Sequence, residues 1–254
     1  MSTTTFGSVL KEWRHIRRMS QLDLSALAEV SARHISFLES GRSKPSRPMA
    51  VHLAEALDIP RTDRNRLLTA AGFAPMWQEH DLDTDAMAPV REALSWTLDR
   101  HDPYPAMVLD RHWNVEQANK SATLMLAALG LEPNMSFLRE MTHPDGARSL
   151  IDNWPTVGRF MLSRLRTESA AVGGDEVLDA AIAVLVDDVE IRTDDEPFPA
   201  VANVDFRVGD ACISLFSTIA QFGTAEDLAL AELRIELFFP ADDTTREFFE
   251  ALDL

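Results

Sequence analysis

The chain has 254 residues, 46% of them hydrophobic, with a formal net charge of -17; that is enough for one large domain or two ordinary ones. No apolar run approaches the roughly 18 residues of a membrane helix. The start MSTTTFGSVLKEW lacks a basic stretch followed by an apolar block, and Cys212 is the single cysteine, so the expectation is a cytoplasmic protein with no membrane contact, no intrachain disulfide and no thiolate metal cage.

The charge is unevenly spread. Residues 1–75 hold 11 of the 24 Lys and Arg but only 7 of the 41 Asp and Glu. Such asymmetry suggests two units with different partners, the first suited to a polyanion and the second repelled by one.

Phe6, Val9, Leu10, Trp13 and Ile16 recur at helical spacing and predict a helix from about Phe6 to Met19. Ser20 is a suitable N-cap for a second helix holding Leu24, Leu27 and Ala28, and Ser31 for a third. The third carries Ile35 and Leu38 inward and ends at Gly41, in the C′ position. After Pro45 and Pro48 a fourth helix spans 49–57, and Thr62 caps a fifth over 63–71, closed by Gly72 and Pro75. Two short helices joined by a tight turn make a helix-turn-helix, whose second helix the DNA major groove can admit.

With Ile35 and Leu38 committed to the core, Ala32, Arg33, Ser36 and Phe37 face outward. Arg33 suits bidentate contact with guanine, and Phe37 suits a thymine methyl. Gln21, at the start of the second helix, is placed for a phosphate, as are Arg42, Lys44 and Arg47 after the third. With the cap Ser31, the candidate DNA contacts are Gln21, Ser31, Ala32, Arg33, Ser36, Phe37, Arg42 and Lys44.

Ser20-Gln21, Leu24, Ala28, Ser31, Ile35, Leu38-Glu39, Gly41-Arg42 and Pro45-Ser46 together resemble the Xre/Cro family of phage-repressor-like regulators. The resemblance covers the all-α five-helix unit, residues 1–75, and implies that Arg14 pairs with Glu39 in the interior. A semi-buried carboxylate independently needs such a bidentate partner. Glu29 stands where the turn between the second and third helices usually carries glycine at positive φ, which costs roughly 1 kcal/mol.

Residues 76–85 read as an acidic linker, and 86–254 as a second unit. A helix is expected over 89–100, then strands over 106–110 and 113–118 joined by Arg111-His112. Asn119 caps a helix to Leu129, and a helical middle runs from Asn134 to about Val189. Strands return at 201–208 and 211–222, turning at Gly209-Asp210, and again at 233–239. Thr244 to Glu247 makes a capping box for a final helix. This order describes an α+β fold with an antiparallel sheet.

PYPAMVLDRHWNVEQAN (103–119) looks like the opening of a PAS-type domain. With HPDGARSLIDNW (143–154), FSTIAQFGTAED (216–227) and ELRIELFFPADDTT (232–245) it resembles the MmyB-like ligand-binding domain, which follows an Xre-type head in that family. The resemblance implies a transcription regulator, not an enzyme, whose PAS-like domain holds a small, apolar, fatty-acid-like ligand. Trp113, Asn119, His143, Asn153, Arg164 and Phe216 are the candidate ligand contacts. Arg164 is the permanent cation among them, suited to an anionic headgroup in an acidic domain.

Other features carry less. GGDE at 173–176 lacks the aromatic that follows it in cyclic-dinucleotide synthases, and sits at a helix start. His101, His112 and His143 lack metal-site spacing. Ser217, His143 and Asp145 have no nucleophile elbow. Cys212 alternates within a strand as inert core, and Asp187-Asp188 and Asp194-Asp195-Glu196 read as solvated. No phosphate-cradling glycine motif is present, and no cofactor is expected. Helix-turn-helix heads often act on two half-sites, so a homodimer on a double-stranded DNA operator is expected. The rival reading is an antitoxin whose acidic domain occupies a protein partner.

Overall fold

The computed structural model describes residues 4–132, 135–188, 191, 199–209, 211–223 and 227–252. The chain forms two compact units, one chiefly of Met1–Glu79 and the other of most of the chain beyond it.

The first unit is five helices: α1 (Phe6–Ile16), α2 (Gln21–Leu27), α3 (Ala32–Glu39), α4 (Arg47–Ala56) and α5 (Arg61–Ala70). They close over one core in which Val9, Leu10, Leu24, Ile35, Leu53 and Leu67 are wholly buried. Thr5, Ser20, Ser31 and Ser46 start the first four helices, each side chain accepting from the amide three residues on. Each such cap contributes about 1 kcal/mol. Two starts differ from the sequence reading. The fourth helix begins directly after Ser46 with a proline in its first turn, where the missing N–H is harmless. The fifth begins after Pro60 rather than Thr62, the Pro60 carbonyl accepting from the Arg64 amide.

Glu29 does adopt the left-handed conformation, with φ 52°, and so do Arg18 at 54° and Asp58 at 46°. In each case the next amide closes the helix end, Val30 reaching Ser25, Met19 reaching Arg14 and Ile59 reaching Ala54. These bonds satisfy carbonyls that a frayed end would leave open and help offset a strain of about 1–2 kcal/mol per residue.

The second unit is built on an antiparallel sheet of order β2-β1-β5-β4-β3. Its strands are β1 (Ala106–Leu109), β2 (Val115–Ala118), β3 (Val204–Val208), β4 (Ala211–Ala220) and β5 (Arg234–Pro240). All of β1 is buried, because both faces of the sheet are covered. Met107 and Leu109 join the larger core with α7 (Lys120–Ala128), α8 (Phe137–Thr142), α9 (Trp154–Ala171) and α10 (Glu176–Asp187). Ala106 and Val108 join a smaller core with Leu94 and Leu98 of α6 (Ala88–Asp99). The same period of two sends Ile235 and Leu237 of β5 to the smaller core, and Glu236 and Phe238 to the other face. The short α11 (Leu228–Glu232) precedes β5, and α12 (Asp243–Glu250) ends the fold. This is the α+β class the strand and helix order implied.

Several local expectations are corrected. The helical middle is broken into α8, a tight turn at Ala147–Leu150, α9 and α10. Trp113 lies outside β2, β3 starts only at Val204, and β4 stops at Ala220. Asp242 rather than Thr244 caps α12, its carboxylate accepting from the Thr245 amide. Cys212 is exposed, because it sits at the uncovered start of β4. Asp188 is not solvated: its carboxylate is buried, paired with Arg148 and accepting from Trp154 Nε1 at 3.0 Å. Asn134, Val189, Asp194, Asp195, Glu196 and Asp210 lie outside the described residues.

Candidate functional site

Two surfaces follow from these elements. On α3, burial of Ile35 and Leu38 turns Ala32, Arg33, Ser36 and Phe37 away from the core. Ser31 fixes the start of the helix by accepting from His34. The Arg33 guanidinium lies 5.2 Å from the centre of the Phe37 ring, and that of Arg42 lies 5.8 Å from it. The half-buried ring thus contacts two cations, each contact worth about 0.5–1 kcal/mol at an exposed site. Arg33, Arg42 and Lys44 are themselves exposed.

The single carboxylate of α3 is removed from this face. Glu39 accepts from Arg14 Nε at 2.6 Å and Nη2 at 3.0 Å, and the two side chains are 4% and 7% exposed. The remaining Arg14 nitrogen, Nη1, donates to the Met19 carbonyl at 2.6 Å. Gln21 departs from a free phosphate-seeking role, because its amide donates to Glu39 at 2.7 Å. Burial opposes ionisation of Glu39. The hydrogen bonds from Arg14 and Gln21, with the Arg14 charge, outweigh it and hold the carboxyl below its ordinary range. The hydrogen bond to Glu39, against an opposing desolvation, raises the Arg14 pKa.

The second surface is a cavity of about 370 Å³ between the sheet and α9, within the range of about 300–1,000 Å³ usual for small-molecule sites. Its walls are largely apolar, including Trp113, Phe137, Met141, Val157, Phe206 and Phe238. Among the described residues its polar groups gather at one place: Arg164 from α9, Ser217 from β4 and Glu236 from β5. Arg164 Nε donates to Glu168 at 2.9 Å, and its Nη1 contacts the Glu236 carboxylate at 3.3 and 3.5 Å. Ser217 donates to Glu236 at 2.8 Å. The guanidinium lies 4.1 Å from the centre of the Trp113 ring, whose Nε1 donates to Glu168 at 2.9 Å. Trp113 itself has φ 61°, in a turn held by Asp110, whose carboxylate accepts from the His112 and Asn114 amides. Strained, over-determined backbone of this kind clusters where a side chain must be aimed.

A smaller cavity of about 180 Å³ is lined by Leu124, Met125, Phe206, Ile213, Phe248 and Phe249, among others. Among the described residues its hydroxyl is Ser121, which is spent on Asp102 and the Pro103 carbonyl.

Of the six ligand contacts expected from the sequence, Trp113 and Arg164 line the larger cavity. The other four lie elsewhere. Asn119 caps α7, and its amide is consumed by Ala106, Ala122, Leu98 and Tyr104. His143 ends α8 and is exposed, its Nδ1 accepting from Asp145. Asn153 tethers Asn203 and Asp205 ahead of and within β3. Phe216 points to the opposite face of β4 from Ser217 and stacks on Phe239. Glu168, Ser217 and Glu236 also form the corner and lie outside the six expected contacts. The available signal was the period of two in β5, which puts Glu236 on the same face as Phe238.

The features set aside have structural places. Asp175 of the GGDE stretch caps α10, and also accepts from His112 at 3.0 Å. Among the described residues no cluster of His, Cys, Asp and Glu could hold a metal ion, and no helix is long and apolar enough to cross a membrane.

Comparison with known proteins gives two family matches. The MmyB-like transcription regulator ligand binding domain matches residues 90–252, and a helix-turn-helix domain matches residues 5–67. Among solved structures, the chain is similar to the PAS domain from Bordetella pertussis BvgS at 13% identity, over 65% of this chain and 99% of that one, with a TM-score of 0.30. It is similar to an RNA-binding Light-Oxygen-Voltage receptor at 13% identity, over 96% of this chain and 63% of that one, with a TM-score of 0.27. None of the curated proteins matches.

Proposed function

Because the chain belongs to the family of the MmyB-like transcription regulator ligand binding domain, we propose that it is a transcriptional regulator whose operator affinity is set by a small molecule with an apolar, fatty-acid-like body, held in the cavity beside Arg164. Both matched families are regulatory rather than enzymatic. The observation that carries the reading is the coexistence in one chain of an outward cationic face on α3 and an apolar cavity with one polar corner.

Arg33 reads a guanine edge and Phe37 packs on a neighbouring thymine methyl, while Arg42 and Lys44 neutralise phosphates. Ser31, Ala32 and Ser36 complete the surface that meets the duplex, with Gln21 beside them. Two heads act together in a homodimer on half-sites about 34 Å apart, since one head buries too little surface to be specific. The site of action is the cytoplasm, where the DNA is.

The test is selection of an operator from random duplexes, followed by affinity measurements on variants. Arg33→Ala should cost about 1–3 kcal/mol on the selected operator and relax one base preference. Arg42→Ala should weaken all sequences alike and reduce the salt slope by about 1. Operator binding indifferent to both changes would overturn the assignment.

A further inference from the structure

The polar corner of the larger cavity carries information about the ligand's head group. Resting on the ligand reading above, we infer that the cavity selects an uncharged head that both accepts and donates hydrogen bonds, a hydroxyl or a carboxamide, over a carboxylate. Arg164 does not stand there as a lone cation. It contacts two carboxylates, Glu168 and Glu236, so the cluster holds one positive and two negative charges. Glu236 is 5% exposed and lines the cavity, so water screens it little. An incoming carboxylate would gain Arg164 and meet Glu236 at close range in the same corner.

A neutral head escapes that conflict and finds unspent capacity on both sides. Arg164 Nη2 is buried and has no hydrogen-bond partner among the described residues. A buried donor left unmade is expensive, and a ligand oxygen would satisfy it. Glu236 Oε2 has a contact of only 3.5 Å, to Arg164 Nη1, whereas Oε1 takes Ser217 and the nearer approach of Arg164. Among the described residues it makes no closer contact, which leaves it able to accept from a ligand O–H or N–H. An ammonium head would satisfy Glu236, but it offers no acceptor to Nη2 and meets the guanidinium charge. A hydroxyl or carboxamide answers both groups at once. The Trp113 ring and Glu168 hold the guanidinium in place.

The experiment titrates the full-length protein calorimetrically with decanol, decanamide, decanoic acid and decylamine, which share one alkyl chain. Decanol or decanamide should bind at least about tenfold more tightly than decanoate or decylamine, a difference of about 1.4 kcal/mol. Glu236→Gln keeps the size and the Ser217 contact while removing one negative charge, so decanoate should gain about tenfold and close the gap. Decanoate binding tightest to the unaltered protein, or a preference untouched by Glu236→Gln, would overturn the head-group inference while leaving the cavity as the ligand site. No binding by any of the four would overturn the cavity reading and the inference with it.

Discussion

Glu39 shows how a single carboxylate is kept away from the outward cationic face of α3. It lies on α3 itself, yet its charge is turned inward onto Arg14 and Gln21. Breaking a buried pair strands one charge, so Arg14→Ala and Glu39→Ala should each destabilise the first unit by about 3–5 kcal/mol. The double variant should lose less than the sum, and strict additivity in amide-exchange protection of α1 would argue against the contact. The pair also makes a pH prediction. The folded carboxyl titrates below its unfolded value, so its contribution is complete above about pH 4.3 and is lost as pH falls through the lower folded value. Glu39→Gln should remove that acid-side loss, followed through the buried Trp13 indole signal by NMR. The Arg14–Glu39 pair was expected because the resemblance to Xre/Cro regulators implies it, and a semi-buried carboxylate needs such a partner. The cavity's corner was not, because Arg164, Ser217 and Glu236 come from three elements far apart in the chain. The period of two puts Glu236 on the face of Phe238, but nothing local brings Arg164 of α9 against it.

At the scale of elements, caps and periodicity made the helices of the first unit readable, since both are short-range features. Close approach between helices is not short-range. A Cβ on Gly7 would lie 2.4 Å from the Glu39 carbonyl oxygen and 2.6 Å from that of Leu38, so α1 packs on α3 through bare backbone. Gly7→Ala would gain about 1 kcal/mol of helix propensity but incur overpacking of about 1–3 kcal/mol, and backbone leaves little room to give. The expected outcome is net destabilisation, read as faster amide exchange in α1 and α3 together. Unchanged exchange would mean that the two helices do not meet this tightly. In the second unit, the strand order could be read only as a class. Strand ends at Val204 and Ala220 depend on where pairing partners stop, and Asn119 shows the hazard of reading polar residues as ligands. Its amide is fully used in joining β1, α6 and α7, a role visible only once those elements are assembled.

For the whole molecule, the charge split has a physical meaning in the proposed function. Arg33, Arg42 and Lys44 sit on α3 and the turn after it, within a first unit that is net basic, while the acid is concentrated in the chain beyond. That acid keeps the ligand-binding unit from adhering to DNA in its own right, so sequence-specific contact rests on the head. Control by a small molecule then requires a coupling free energy between cavity and head, typically about 1–3 kcal/mol. The decisive measurement is the affinity of the full-length protein for its selected operator, at fixed salt, with and without a saturating amount of the tightest-binding amphiphile. The expected result is a change of at least about fivefold in operator affinity, abolished when Arg164→Met removes the head-group donor. Tight occupation of the cavity with operator affinity unchanged, or no sequence-specific DNA binding at all, would contradict it.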